Sequence, residues 1–247
     1  MLRTASSLKG TSIAATDGSI GSLDDTYFDD KSWTIRYLVV DTGTWLPGRK
    51  VLISPRSVRL GTDEHAIPVA LTRTQVENSP SIDADKPVNR QYEEEFSRYY
   101  GYPYYWAGPY RWGASQYPGD LTTPVETASV TAREAGGDPS LRSTRDVTGY
   151  YIEATDGDMG HVEDFVIDDR EWAIRYMIVD TRNWWPGKKV AISPDWIRRV
   201  SWQESKVYLD LDREAVKRAP EYDPDHPLQR DYETRLFRHY GRRNYWE

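Results

Sequence analysis

The chain has 247 residues, contains no cysteine and carries a net charge of −7 at pH 7. The lack of cysteine excludes disulfides, zinc–thiolate sites and cysteine nucleophiles, and the evenly spread acidic charge provides no basic domain of the kind that binds nucleic acid. No stretch approaches the roughly 20 apolar residues of a membrane helix, and no segment resembles a signal peptide. We therefore expect a cytoplasmic protein that has no transmembrane segment and does not bind nucleic acid.

A long internal repeat organises the chain. Residues 16–55 recur as residues 155–194, with 22 of the 40 aligned positions identical and a constant offset of 139. Chance similarity does not explain such a match, so the sequence predicts one module used twice. We place the first module at 1–106, a linker rich in Gly, Pro, Ser and Thr at 107–140, and the second module at 141–247.

In chain order, the first module reads as short strands separated by turns. Asp17-Gly18 provides the positive-φ positions of a tight hairpin turn, and alternating apolar residues predict the strands on either side of it. The predicted strands cover about Leu8–Ala14, Ser19–Phe28, Trp33–Asp41, Val51–Ser54, Val58–Leu60 and Ile67–Leu71. Because they are short and are not alternated with helices, they predict a small antiparallel six-stranded β-barrel in each module.

A helical tail follows each predicted barrel. Residues 72–76 and 212–216 predict a single helical turn, and the next helix carries apolar residues at a spacing of four, which gives one stripe along its surface. The stripe residues are Val88, Tyr92, Phe96 and Tyr100 in the first tail, and Leu228, Tyr232, Leu236 and Tyr240 in the second. The sequence therefore predicts a mainly β protein of two barrels, each extended by short helices.

Tyrosine and tryptophan are abundant, with 18 and 10 copies against 4 phenylalanines. Two groups of them are candidates for partner contact, because Trp and Tyr dominate binding hot spots. One group lies on the Pro-Gly loops and the other in the tails: Trp45, Leu46, Trp184 and Trp185, then Tyr104, Tyr105, Trp106, Tyr245 and Trp246. The alternative, which the sequence leaves open, is that these side chains cover their own barrel or the sister module.

Charged residues recur in both modules as well. Arg36 with Asp41 and Arg175 with Asp180 predict ion pairs at strand ends, with a proton-handling pair as the alternative. The acidic turns are weak candidates for a Ca²⁺ or Mg²⁺ site, with turn formation as the favoured interpretation. They contain Asp25, Asp29 and Asp30, then Asp164, Asp168 and Asp169. None of the four histidines recurs at the matching position, and no nucleophile elbow, P-loop or dinucleotide-binding glycine pattern occurs. We therefore expect no catalytic residues and no cofactor, and no metal beyond these weak candidates.

The segment from Asp24 to Pro55, DDTYFDDKSWTIRYLVVDTGTWLPGRKVLISP, resembles the PRC-barrel family. The family includes the cytoplasmic domain of the photosynthetic reaction centre H subunit and the C-terminal domain of a ribosome maturation factor. The resemblance covers about residues 8–80 and 147–220. It implies a six-stranded barrel that serves as an interaction adaptor, associated in the H subunit with a membrane electron-transfer complex.

We therefore expect a non-enzymatic protein–protein interaction module with a protein partner of unknown identity. The resemblance keeps peripheral association with a membrane or photosynthetic complex open, and self-association as well. The alternative is a small-molecule-binding protein that uses an aromatic pocket between the barrels or at a barrel mouth.

Overall fold

The computed structural model describes residues 1–59, 66–82, 88–120, 141–181, 188–226 and 228–247. These residues cluster into two compact units. The N unit contains Ser7–Thr144 and Asp169–Ala173, and the C unit contains Met1–Ser6, Arg145–Asp168 and Ile174–Glu247. Because the units are groups of residues close in space, they do not test the predicted sequence boundaries 1–106, 107–140 and 141–247, which stay a prediction.

The elements of the two repeats follow each other in the same order, apart from β12, which has no counterpart among the described strands of the first repeat. The first repeat contains β1 (Leu2–Thr4), α1 (Ala5–Leu8), β2 (Ser12–Ala15), β3 (Gly18–Asp29), β4 (Thr34–Asp41), β5 (Lys50–Ile53), β6 (Ala66–Pro68), α2 (Arg73–Glu77) and α3 (Arg90–Tyr100). The second contains β7 (Leu141–Ser143), α4 (Thr144–Val147), β8 (Tyr151–Ala154), β9 (Gly157–Asp168), β10 (Ala173–Asp180), β11 (Lys189–Ile192), β12 (Ile197–Ser201), β13 (Lys206–Leu209), α5 (Arg213–Arg218) and α6 (Arg230–His239). A short 3-10 turn follows β5 and another follows β11.

In the N unit, β3 is the central strand. It pairs antiparallel with β2, β4 and β7, and β4 pairs antiparallel with β5. Strand β2 also pairs with β6, and this pairing is parallel. Thr34 pairs with Ala173, which is the first residue of β10. Ala173 occupies the position in the second repeat that Thr34 occupies in the first.

In the C unit, β9 has the same central role. It pairs antiparallel with β8 and β1, and β10 pairs antiparallel with β11. Strand β13 pairs parallel with β8 and antiparallel with the edge strand β12. The mainly β prediction is thus confirmed. The described strands form a mixed sheet that does not close, so that two closed, six-stranded antiparallel barrels are not confirmed.

Particular residue types recur within and just after β3 and β9. An added Cβ at Gly21 would lie 2.0 Å from the carbonyl oxygen of Asp41, and one at Gly160 would lie 2.1 Å from that of Asp180. Glycine is therefore required where these strands approach their neighbours. Each repeat also has a tryptophan at positive φ just before its next strand, Trp33 at 52° and Trp172 at 55°, which is uncommon for a bulky residue.

The start of each repeat differs from the prediction. A strand was expected over Leu8–Ala14, but residues Ala5–Leu8 form a helical turn and the strand begins at Ser12. Leu8, which the apolar alternation assigned to a strand, is instead buried by this turn. Burial against the sheet decided the conformation of so short a segment.

The predicted helices are present. Thr72 and Gln75 form a capping box at the start of α2, and Asn89 caps α3 through a bond from the backbone N–H of Tyr92. Gly101 ends α3 in the left-handed conformation at φ 69°. An Asp followed by Pro predicts helix starts at Asp85-Lys86-Pro87 and at Asp225-His226-Pro227. The first of these lies outside the described residues. In the second repeat Asp225 does not cap the helix, because α6 begins at Arg230 after Gln229.

The stripe of α3 covers one face of the N-unit sheet. Phe96 packs against the sheet residues Tyr37, Val39 and Leu52, and Leu141 joins the same cluster. Burial of these large side chains is the main stabilising contribution of the tail. None of the described helices is long and apolar enough to cross a membrane.

Candidate functional site

The loop between β4 and β5 holds the predicted contact residues Trp45 and Leu46. Thr42 closes the loop, because its hydroxyl lies 2.7 Å from both the Leu46 and the Arg49 carbonyl oxygens. The backbone N–H of Trp45 donates to the Thr42 carbonyl at 3.2 Å, and that of Gly43 donates to the Asp41 carboxylate at 2.9 Å. These bonds, together with those from the Arg49 guanidinium to the carbonyls of Glu77 and Ser79, hold the loop without involving the Trp45 indole.

Trp45 and Leu46 are half-buried on this loop. The guanidinium carbon of Arg73 lies 4.6 Å from the centre of the Trp45 indole, a distance typical of a cation–π contact. Arg73 is fixed in turn through its backbone N–H, which donates to Asp17 at 2.8 Å. The indole is thus covered on one side and partly exposed, as a preorganised contact residue would be.

The equivalent loop of the second repeat begins in the same way. The hydroxyl of Thr181 donates to the Lys188 carbonyl at 2.8 Å, as that of Thr42 does to Arg49. The predicted contact residues Trp184 and Trp185 lie outside the described residues.

The aromatic tail of the first repeat folds back onto its own sheet. Tyr105 is 8% exposed, and its hydroxyl donates to the buried carboxylate of Glu93 at 2.7 Å. Tyr37 of β4 donates to the same oxygen of Glu93 at 3.3 Å, and Arg90 pairs with the other oxygen at 3.0 Å. The guanidinium of Arg90 lies 4.0 Å from the Trp106 ring centre. Tyr105 is therefore a structural residue of this tail.

The second repeat builds the same cluster from the equivalent residues of its own strand and tail. Glu233 accepts bonds from the hydroxyls of Tyr176 and Tyr245, both at 2.8 Å, and pairs with Arg230 at 3.0 Å. Arg230 lies 4.0 Å from the Trp246 ring centre. Sequence reasoning missed Glu93 and Glu233, although each occupies the same helix position beside an apolar stripe, and that recurrence was the available signal.

Burial dominates the electrostatics of the first cluster. It raises the pKa of Glu93 from 4.5 to about 7, opposed by Arg90 and by the bond from Tyr105. Burial also raises the pKa of Tyr37 well above 10, with Glu93 adding to the effect. The Glu93 carboxyl therefore exchanges its proton near neutral pH while it holds the tail.

Arg36 and Arg175, predicted to pair with Asp41 and Asp180, each form an ion pair with an aspartate of the preceding strand. Arg36 pairs with Asp29 at 3.2 Å, and Arg175 pairs with Asp168 at 2.9 Å. Asp41 lies five strand residues from Arg36, and an odd spacing places two side chains on opposite faces of a strand. Each arginine also covers a tail tyrosine, Arg36 at 3.7 Å from the Tyr105 ring centre and Arg175 at 4.2 Å from that of Tyr245.

The acidic side chains that were predicted to lie in turns bind protein donors, and four of them lie within strands β3 and β9: Asp25, Asp29, Asp164 and Asp168. Asp25 accepts bonds from the hydroxyls of Ser143 and Thr144, and Asp30 pairs with Arg142 at 3.0 Å. Asp29 and Asp168 pair with arginines as described, Asp164 accepts from Ser6, and Asp169 also has a protein partner. Among the described residues no group of three or more metal-ligating side chains could hold a metal ion.

The first half of the predicted linker packs on the N unit through Trp112. Trp112 is 2% exposed, whereas Tyr110 and Tyr117 are exposed. The Trp112 ring centre lies 5.0 Å from the Arg36 guanidinium and 5.4 Å from that of Arg56. Arg56 donates to the Trp112 carbonyl at 2.7 Å, and burial with the nearby Arg36 lowers the pKa of Arg56 to about 10.

A cavity of about 490 Å³ opens in the N unit beside this segment. Its walls combine aromatic, proline and charged side chains. They are Pro55, Val58, Tyr117, Pro118, Gly119, Asp120, Asp169, Arg170 and Trp172. The volume falls within the range of small-molecule sites, roughly 300–1,000 Å³.

Comparison with known proteins agrees with the first repeat. No curated protein matches the chain. A family model matches one segment, which contains β1 to β6 and the Trp45 loop. That segment, residues 2–69, matches the model of the PRC-barrel domain, which supports the family resemblance there.

Proposed function

We propose that the protein is a non-enzymatic interaction module that binds a protein partner through the Trp45 loop. The observation that carries this proposal is the internally bonded loop that presents Trp45 and Leu46, half-buried, within the matched PRC-barrel segment. At the level of the family, such domains are protein-interaction modules. A rigid loop loses little conformational entropy on binding, so its apolar surface can contribute most of its free energy to affinity.

The finer parts of the proposal follow from the repeat. We propose that both sequence modules are PRC-type barrels, since apart from β12 the described strands and helices recur in the same order in each. We also propose that Trp184 and Trp185 form a second contact loop. The acidic and arginine side chains that could have suggested acid–base chemistry are engaged in structural bonds, which supports a role without catalysis. The partner would be a protein, with a component of a membrane or electron-transfer complex as one class.

Replacing Trp45 with alanine should weaken binding of the partner by about 30-fold, since a hot-spot residue contributes about 2 kcal/mol or more. The full chain, immobilised, would capture partners separately from the membrane and the water-soluble fractions of the source cell. Each captured protein would then be purified, and its affinity measured for wild type and Trp45→Ala by calorimetry.

Tyr151→Ala is the matched control, because Tyr151 is a large aromatic residue that is 64% exposed on β8. It should bind as wild type does. A purified partner that binds wild type and Trp45→Ala with equal affinity would overturn the assignment of the contact loop. Circular dichroism would establish that both variants are folded.

The cavity beside Trp172 supports a second candidate function, binding of a small molecule. Its aromatic and proline walls suit a flat apolar group, and two carboxylates against one guanidinium favour a ligand with positive charge. This candidate and the protein-interaction module use different residues, so that one can fail without the other.

Phenyltrimethylammonium, an aromatic cation, should bind this cavity with a dissociation constant in the millimolar range. A ligand with so few non-hydrogen atoms has only a small binding free energy available to it. Asp169→Asn should weaken it about fivefold, the effect of about 1 kcal/mol for a partly exposed charge. Chemical shifts of the Trp172 indole would report binding, with benzoate as the matched anion. Equal affinity for the cation and for benzoate would contradict the charge assignment.

A further inference from the structure

In the N unit, one edge of β3 is paired with a strand from far along the sequence. Strand β7 pairs with it in antiparallel register, Leu141 opposite Asp29, Arg142 opposite Phe28 and Ser143 opposite Tyr27. Such addition of a strand to a sheet edge is a general mode of peptide recognition, in which backbone bonds give affinity and side chains give specificity.

Side chains make this edge selective for β7. Leu141 is 7% exposed and joins the core cluster with Phe96. Arg142 pairs with Asp30 at 3.0 Å, and the hydroxyls of Ser143 and Thr144 donate to Asp25 at 2.5 and 3.1 Å. An apolar anchor, a basic residue and hydroxyl groups are thus each matched by the acceptor edge.

The C unit has the same arrangement at the edge of β9. Strand β1 pairs with it, Leu2 opposite Asp168, Arg3 opposite Ile167 and Thr4 opposite Val166. Ser6 bonds Asp164 through both its backbone N–H and its hydroxyl. In each unit, then, a carboxylate of the acceptor strand takes a hydroxyl group at or just after the donor strand, Asp25 in β3 and Asp164 in β9.

The two donor strands share a pattern. Residues 2–4 read Leu-Arg-Thr and residues 141–143 read Leu-Arg-Ser. In neither unit does the edge take the strand that begins its own repeat, since Met1–Ser6 belongs to the C unit and Ser7–Thr144 to the N unit. The chain crosses between units within α1 and again at the start of α4, so a single short turn connects each donor strand to its own repeat.

We propose that these edges are strand-acceptor sites and that a second copy of this chain can fill them. A second copy offers the same strand sequence, so it can make every contact that the strand of the same chain makes. Domain swapping of this kind exchanges identical elements between protomers. The strand of the same chain and that of a second copy then compete for the edge. The second copy is favoured as the protein concentration approaches the effective concentration of the tethered strand, which is in the millimolar range for short connections.

The test uses the absence of native cysteine. Thr4→Cys and Val166→Cys would be made in separate full-length chains, mixed in urea and refolded together over a range of concentrations under mild oxidation. Paired residues of antiparallel strands lie within disulfide range. A disulfide-linked dimer of the two chains should form, and the ratio of dimer to monomer should rise about tenfold for a tenfold rise in concentration while dimer is the minor species.

Three companion samples make the result interpretable. The chain carrying both substitutions should form the disulfide within one molecule, which establishes the register. Thr4→Cys with Ile167→Cys should form little linked dimer, because a shift of one residue moves the side chain to the opposite face. Tyr27→Cys with Ser143→Cys tests the other edge if the first pair does not refold. Absence of linked dimer at every concentration, with the disulfide formed in the chain carrying both substitutions, would overturn the proposal.

Discussion

Replacing Trp112 with alanine is expected to lower the free energy of unfolding by about 3–5 kcal/mol, the usual cost of truncating a fully buried tryptophan. The indole is 2% exposed and lies against the guanidinium groups of Arg36 and Arg56. Its N–H also donates to the Glu171 carbonyl at 2.9 Å. Truncation leaves a cavity, removes the aromatic contact of two buried cations and removes the hydrogen bond to Glu171. Each of these three losses lowers the stability of the folded state.

Urea unfolding followed by circular dichroism would measure this change. Tyr110→Ala is the matched control, since Tyr110 lies two residues earlier in the same segment but is 57% exposed. The control should stay within about 0.5 kcal/mol of wild type. A loss of less than about 1 kcal/mol in Trp112→Ala would show that the segment after residue 106 does not stabilise the N unit.

Glu93→Gln is expected to remove a pH dependence of stability that wild type shows between pH 4.5 and about 7. Because burial raises the pKa of Glu93 in the folded protein to about 7, the folded state keeps a proton that the unfolded chain releases near pH 4.5. The stabilising contribution of this proton is complete below pH 4.5 and is lost as the pH rises through 7. The shift from 4.5 to about 7 corresponds to roughly 3 kcal/mol.

The difference between wild type and Glu93→Gln, measured by urea unfolding at pH 4.5, 6, 7 and 8, isolates this group from the other carboxylates. Wild type should lose roughly 3 kcal/mol relative to the variant across this range. Glu95→Gln, on an exposed position of the same helix, should follow wild type. Parallel curves for wild type and Glu93→Gln would contradict the assignment of a buried, proton-binding Glu93.

The stability of the tail and the proposed partner contact are separate properties of the first repeat. Tyr105, predicted as a contact residue, is bound to Glu93 and covered by Arg36. Trp45 remains partly exposed on a loop that does not depend on it. A variant of the tail should therefore change stability, whereas a variant of the loop should change binding.

Local sequence by itself determined the repeat, the strand Thr34–Asp41, the capped helices and their apolar stripes. These features depend on residue periodicity and on bonds between near neighbours, so a sequence contains them directly. The Asp-Gly hairpin turns belong to the same group, because the positive φ that they need is a property of single residues.

Only the tertiary structure decided which groups meet at long sequence separation. Arg36 pairs with Asp29 on the neighbouring strand, Glu93 lies under tyrosines from β4 and the tail, and β7 occupies the edge of β3 more than 110 residues away. Alternation along one strand gives the face of each residue but not the identity of the strand beside it. The sequence could therefore identify the acidic residues, but only the folded sheet could show that they bond the side chains of a strand paired beside them.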